Sequence, residues 1–234
     1  MMRKIIWIPL ILIIISCITP QATGFVSMKE KIYVDQDGNK ITEGEFEQKW
    51  RDRNNNLVPY EYEDKSAGQV VNVLNPLYSR YMVKYPEFSQ KIEEITGKKF
   101  PGNTVFLIEY IYVNERCSTN STNKWLKHVI NKRKQFTTPN KRSIEKRIPE
   151  IVVLNFFEMG IILKNSPDSK KEYYYQDLDN FLRSAIFLHP SHCGSFALVK
   201  PNGETLVRNG ESSSDYTAQH LQPEIWEQIF PPGE

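Results

Sequence analysis

Three cysteines stand at positions 17, 117 and 193, and two of the four histidines, His189 and His192, lie within four residues of the last. Thiolate and imidazole are the side chains that attack disulfides or hold a soft ion such as Cu(I). Cys117 closes the stretch Thr104–Cys117, TVFLIEYIYVNERC, and stands where an apolar strand gives way to a polar loop and then a helix pattern. A thiol at a helix start, with Arg116 beside it, feels unpaired amide donors and the positive end of the dipole, which favour its thiolate. Cys117 is therefore a candidate nucleophile or metal ligand. Cys117, Cys193, His192 and His189 could together hold Cu(I). Adjacent residues on an extended segment point to opposite sides, so His192 and Cys193 converge only if their loop bends. His128 and His220 show no partner in the pattern and are expected to face solvent.

The other chemistry-bearing stretch is basic. Lys124–Arg147 holds nine Lys and Arg against the single acid Glu145. Lys132, Arg133, Lys134, Lys141 and Arg142 form a candidate anion patch, suited to phosphates of nucleic acid or of anionic lipid headgroups. A solvated helix face with its loop is the plainer use. The net charge of the whole chain is only +2, so no nucleic-acid partner is expected. Asp35–Lys40, DQDGNK, lacks the spacing and closing Glu of a calcium loop and reads as a turn.

The N-terminus reads as an export signal. Arg3 and Lys4 precede an apolar run, Ile5–Ile15, interrupted at Pro9 and too short to cross a hydrocarbon core of ~30 Å. Ile14-Ile15-Ser16-Cys17 resembles the lipobox of bacterial lipoproteins. The resemblance implies that residues 1–16 are removed, that Cys17 carries covalent lipid, and that the acyl chains hold the protein to a membrane of the cell envelope, facing the periplasm or the exterior. The partners expected are membrane lipid at the anchor and possible envelope proteins. Export would leave two thiols, Cys117 and Cys193, in an oxidising compartment, where an even number suggests a disulfide.

Elements must position these residues. After a tether over 17–28, Lys31–Ile41 reads as a hairpin about Asp37-Gly38. Thr42 with Glu45 makes a capping box for a helix that puts Phe46 and Trp50 on one face. Arg51–Tyr85 has scattered aromatics and no sustained period. Phe88, Ile92 and Ile95 fit a second helix ending at Gly97, and Pro101-Gly102 marks a boundary. Beyond it, Val105–Val113 reads as a strand buried on both faces, Ser121–Phe136 as a helix with Trp125, Val129 and Ile130 inward, and Ile151–Phe157 as a second buried strand. Gln176–Leu188 reads as a helix, Ser195–Lys200 and Glu204–Arg208 as a hairpin about Pro201-Asn202-Gly203, and Tyr216–Leu221 and Pro223–Phe230 as helical. The expected division is a small N-terminal hairpin and helix region over 29–100 and a layered domain over 101–234.

That order, over about residues 100–221, resembles the thioredoxin fold. The resemblance rests on the apolar strand that ends just before a cysteine at a helix start, and on SFALVKPNGETLV, which looks like the strand-turn-strand after the family's cis-proline. It implies an α/β, thioredoxin-like mixed sheet with helices on both faces, preceded by a small α+β region. It also implies that the loop before the hairpin brings Cys193 to Cys117. Two departures stand out: Asn120 occupies the second cysteine position of C-x-x-C, and no proline stands near Cys193-Gly194. His192, eleven residues before Gly203, has a spacing that looks like the copper-binding histidine of Sco-type copper chaperones. Their second cysteine position is Ser121 here.

Three functions follow as expectations. The first is a binding or structural lipoprotein with a stapled thioredoxin-like scaffold, needing no cofactor beyond lipid on Cys17. The second is an envelope thiol-disulfide or peroxide redox protein using Cys117 and Cys193, and the third a Sco-like carrier of Cu(I).

Overall fold

The computed structural model describes residues 29–115, 117, 123–167 and 169–231. The expected signal segment, Cys17 and the expected tether over 17–28 lie outside the described residues. No helix among the described residues is long and apolar enough to cross a membrane.

The chain opens with β1 (Lys31–Val34) and β2 (Lys40–Ile41), an antiparallel pair. Asp35 holds their turn by accepting the backbone N–H of Asp37 at 3.1 Å and of Asn39 at 2.9 Å and the Lys49 ammonium at 2.9 Å. These donors lower its carboxyl to about 2, the lysine first. Helix α1 (Glu43–Arg51) begins at the Thr42–Glu45 capping box read from the sequence. The unpatterned stretch that follows is three strands, β3 (Leu57–Asp64), β4 (Gln69–Pro76) and β5 (Tyr78–Met82). The first two complete a four-stranded sheet of order β2-β1-β4-β3. Only Leu77 separates β4 from β5, and there the chain passes into a second sheet. Helix α2 (Tyr85–Thr96) ends, as its sequence predicts, at Gly97 with φ +65°.

The second sheet is built on β6 (Val105–Ile111), every residue of which is buried. After it come the short β7 (Lys124–Trp125), helix α3 (Lys127–Arg147), β8 (Ile151–Glu158), β9 (Ile162–Leu163) and β10 (Tyr174–Asp177). Then follow α4 (Phe181–Ala185), β11 (Ser195–Val199), β12 (Glu204–Asn209), α5 (Ser214–Gln219) and α6 (Pro223–Ile229). The strand order is β10-β8-β6-β11-β12-β5. β6, β8 and β10 run parallel, while β11, β12 and β5 alternate antiparallel from β6 outward. The core order β8-β6-β11-β12, with α3 between the first two strands in sequence, is the thioredoxin-like arrangement. β10 and β5 widen it on either side.

Helices cover both faces, as expected. Phe106, Ile108 and Tyr110 of β6 pack with Phe88 and Ile92 of α2 and Leu182 of α4. Val105 and Leu107 pack on the other side with Ile144 of α3, Ala218 of α5 and Trp226 of α6. Residues 78–96 thus belong to this sheet and its core, so the chain before residue 100 is shared between two sheets.

Two helices differ from the sequence reading. The described part of α3 starts at Lys127 and runs on past Phe136 to Arg147, with Pro139 inside it. Trp125 is buried on β7, and Phe136 is 73% exposed. Proline removes one helical donor, but Ile130 and Ile144 bury on either side of it and the Thr137 and Thr138 hydroxyls bond Tyr173 and Tyr174, so packing carries the helix through. The predicted helix over 176–188 shrinks to α4. Its first turn is set by Asp177, whose carboxylate accepts the N–H groups of Leu182 and Arg183, while Tyr174–Asp177 is drawn into the sheet beside β8.

Candidate functional site: a disulfide at the end of the central strand

Four residues after the end of β6, Glu115 is buried; two further on, Cys117 is exposed and bonded to Cys193. Their Cα atoms are 4.9 Å apart, within the range a disulfide accepts, and 76 positions separate them in sequence. The bridge lies beyond the carboxyl end of the parallel strands, where open α/β sheets place their ligands.

Gly194 sets the path of the Cys193 loop. Its φ is +76°, and a Cβ built on it would lie 2.7 Å from the Tyr110 carbonyl oxygen. Only glycine lets the chain come this close to β6, and that approach delivers Cys193 to the Cys117 side.

Hydrogen bonds hold the rest of the loop. The Ser191 hydroxyl donates to the Gly194 carbonyl and accepts the Gly210 N–H at 3.0 Å. Ser195, first residue of β11, donates from its hydroxyl to Asn209 at 3.0 Å and accepts from the Tyr112 hydroxyl at 3.0 Å. The Asn75 amide donates to the Pro190 carbonyl at 2.8 Å, and the Glu61 N–H donates to Nε2 of His192 at 3.0 Å. Both sheets therefore grip residues 189–195. Burial pushes the Tyr112 phenol well above its usual range, so it stays a hydrogen-bond donor.

His189 is partly buried, and burial, then the Arg183 charge, lowers its pKa, so it is neutral near pH 7. Arg183 donates to Glu158 at 3.1 Å and to the Phe187 carbonyl at 2.7 Å. The other oxygen of Glu158 accepts the Val113 N–H at 2.8 Å, fixing the chain as it leaves β6.

The remaining sequence candidates are distributed as follows. His192 turns its ring onto the N-terminal sheet, 5.1 Å from the Tyr60 ring, and does not gather with the cysteines. Among the described residues, no group of three or more His, Cys, Asp or Glu could hold a metal ion. His128 is exposed as expected, but His220 is only 2% exposed, a correction to the sequence reading. Its Nε2 lies 3.1 Å from the Tyr78 hydroxyl and its Nδ1 3.1 Å from the Tyr216 carbonyl. An isolated histidine on a short helix gives no period from which burial could be read.

The anion patch divides by helical geometry. Lys132 and Arg142 are exposed. Arg133, Lys134 and Lys141 turn inward, to Glu109, Glu172 and Glu145. Glu109 also accepts from Asn155, making a buried polar cluster on the central strand. Tyr112, Ser191, Ser195 and Asn209, which organise the bridge loop, carry no motif in the sequence. The signals were Ser191 and Ser195 around Gly194 and Asn209 before Gly210.

No family model matches the chain, and no curated protein matches it. Among solved structures it is similar to the pneumococcal exposed lipoprotein thioredoxin Etrx1 from Streptococcus pneumoniae strain TIGR4, at 12% identity and a TM-score of 0.32, over 70% of this chain and 98% of that one. It is also similar to dsbF of MTB, at 13% identity and a TM-score of 0.31, over 51% of this chain and 79% of that one. A third is a secreted Mycobacterium tuberculosis disulfide oxidoreductase described as homologous to E. coli DsbE, at 8% identity and a TM-score of 0.30, over 52% of this chain and 82% of that one.

Proposed function

We propose that this chain is a lipid-anchored envelope protein that exchanges its Cys117–Cys193 disulfide with the thiols of other envelope proteins. One observation carries the reading: the two halves of the bridge differ in exposure. Cys117 is exposed, whereas Cys193 sits partly buried on a loop whose anchors do not include the bond. A client thiolate attacks the Cys117 sulfur, the S–S bond opens, and its electron pair leaves on Cys193 as a thiolate. The product is a mixed disulfide through Cys117. A second client thiolate then attacks the client sulfur of that bond and releases Cys117 as a thiolate. The client dithiol has lost two electrons to become a disulfide, and the pair has gained them. Because the 189–195 loop keeps its hydrogen bonds throughout, Cys193 stays in place for the bridge to close again.

The anchor reading rests on Ile14-Ile15-Ser16-Cys17. A lipid on Cys17 would hold the domain at a membrane, in a compartment where such a bridge persists. The reaction needs no metal or organic cofactor.

A second reading is a permanent staple under a binding or structural scaffold, and the 76-residue separation favours it. On the chain-entropy model, closing such a loop stabilises the fold by about 4.5 kcal/mol. Alkylation with mass analysis in a graded series of thiol buffers separates the two. Exchange predicts that mild dithiol opens the bridge in the folded protein and that Cys117 alkylates first. A bridge that opens only on unfolding contradicts exchange and supports the staple.

A further inference from the structure

Away from the disulfide, α3 and the loop before β10 enclose a cleft with a cavity volume of about 570 Å³. Its walls include Lys134, Lys141, Arg142, Lys171 and the Tyr173 ring. Lys98 approaches from beyond α2 and donates to the backbone carbonyls of Lys170 and Glu172. Lys134 and Lys141 flank the Tyr173 ring, with ammonium nitrogens 5.3 and 5.4 Å from its centre. Among the described residues, five cations thus meet about this loop, against the carboxylates Glu145 and Glu172.

Those carboxylates pair with Lys134 and Lys141 and also serve the backbone, so among the described residues the excess charge is that of Arg142, Lys171 and Lys98. Glu172 accepts the N–H groups of Ser166, Tyr173 and Tyr174, and Glu145 accepts that of Val153. The cations are partly desolvated, with the Lys134 and Lys141 side chains 22% and 18% exposed. Burial lowers the pKa of Lys141, and burial followed by the Lys141 charge lowers that of Lys98. Positive charge held out of water beside like charge is costly, and an anion in the cleft removes that cost. In a second cleft, by contrast, both lining cations are paired, Arg147 with Asp215 at 2.6 Å and Lys200 with Glu204 at 3.2 Å. Hydroxyls of Thr138, Ser166 and Ser169 line the cationic cleft as well and supply neutral donors.

We propose that the cleft between α3 and the β10 loop binds a phosphate group, free or carried on a lipid headgroup, through Lys134, Lys141, Arg142 and Lys171, with the Lys98 charge behind the loop adding to the field. Several converging ammonium groups with a guanidinium and hydroxyl donors suit the charge and the multiple acceptors of phosphate. The site stands independently of the disulfide reading.

The test uses the full chain carrying Cys17→Ala, so that no anchor contributes. Calorimetric titration with inorganic phosphate examines the free anion, and sedimentation with phosphatidylglycerol vesicles examines the headgroup. The exposed pair Arg142→Gln/Lys171→Gln should fold normally. It should weaken whichever binding is found by at least about tenfold, the scale of one charge-assisted hydrogen bond. The remote Lys84→Gln control should leave it unchanged. Phosphate binding without vesicle binding identifies the free anion, and vesicle binding competed by inorganic phosphate identifies the headgroup; either supports the proposal. Absence of both, or binding that Arg142→Gln/Lys171→Gln leaves intact, overturns it. Thiol exchange should be unaffected by these substitutions, so failure of this site is distinguishable from failure of the redox reading.

Discussion

Gly194→Ala tests how the fold delivers Cys193. Two costs combine at this position. An alanine held at φ +76° forfeits about 1–2 kcal/mol, because its Cβ crowds the backbone in the left-handed region. The same Cβ would lie 2.7 Å from the Tyr110 carbonyl oxygen, so either β6 or the 189–195 loop must shift. Displacing well-packed backbone adds about 1–2 kcal/mol more, for a total of about 2–4 kcal/mol. Gly68→Ala supplies the reference, since Gly68 has φ +67° and nothing within 4 Å of the added carbon. It should cost only the conformational part, about 1–2 kcal/mol. Urea unfolding of both variants with the disulfide intact measures the difference. The Cys193 loop should also move, so bridge opening by dithiol should change in Gly194→Ala and not in Gly68→Ala. Equal destabilisation of the two variants would refute the claim that close approach to β6 fixes this loop.

Other expectations follow from the buried polar groups and the anchor. Glu109→Leu alone, which removes the partner of a largely buried Arg133, should cost about 3–5 kcal/mol, and Glu109→Leu/Arg133→Met should recover much of it. A double variant no more stable than the single one in denaturant unfolding would count against the pair. The folded-state pKa of His220 lies below its unfolded value of about 6.5, so the unfolded chain binds more protons in that window. Stability should therefore be full above pH ~6.5 and decline as pH falls through the folded pKa, and His220→Gln should flatten the decline. His189 shifts in the same direction, so some slope should remain. An unchanged slope in His220→Gln would show that this histidine does not report on folding. Cys17→Ala should release the protein from membranes and abolish acyl mass; a variant still retained at the membrane would contradict the anchor reading.

What the sequence disclosed, and what it hid, follows from how each segment is stabilised. Val105–Ile111 is buried throughout, so its apolar run announced a central strand. The Thr42–Glu45 box and Gly97 are local devices and were legible for the same reason. Residues 57–82 were not, because most side chains of β3, β4 and β5 are only half-covered and the chain changes sheets at Leu77. Tyr60 and Tyr62 thus serve one sheet and Tyr78 and Tyr81 another, which erases any common period. Phe136 was read as the end of its helix since Thr137-Thr138-Pro139 opposes helix locally. The contacts that override it come from Tyr173 and Tyr174, more than thirty residues away. At the site, a cysteine pair was visible, but not the grip on the Cys193 loop. That grip comes from Asn75, Glu61, Tyr112 and Asn209, which only the tertiary fold assembles.

The central claim is that the bridge opens and closes within a folded domain, and its reduction midpoint tests this most directly. Equilibration of the full chain in graded thiol buffers, with the Cys117–Cys193 state read by alkylation and mass and folding followed by circular dichroism, yields both quantities together. Exchange predicts a midpoint above about −300 mV, in the range of catalytic dithiols, with the native spectrum kept after reduction. A midpoint below that value, or reduction that coincides with unfolding, would make the bridge a staple and contradict the account.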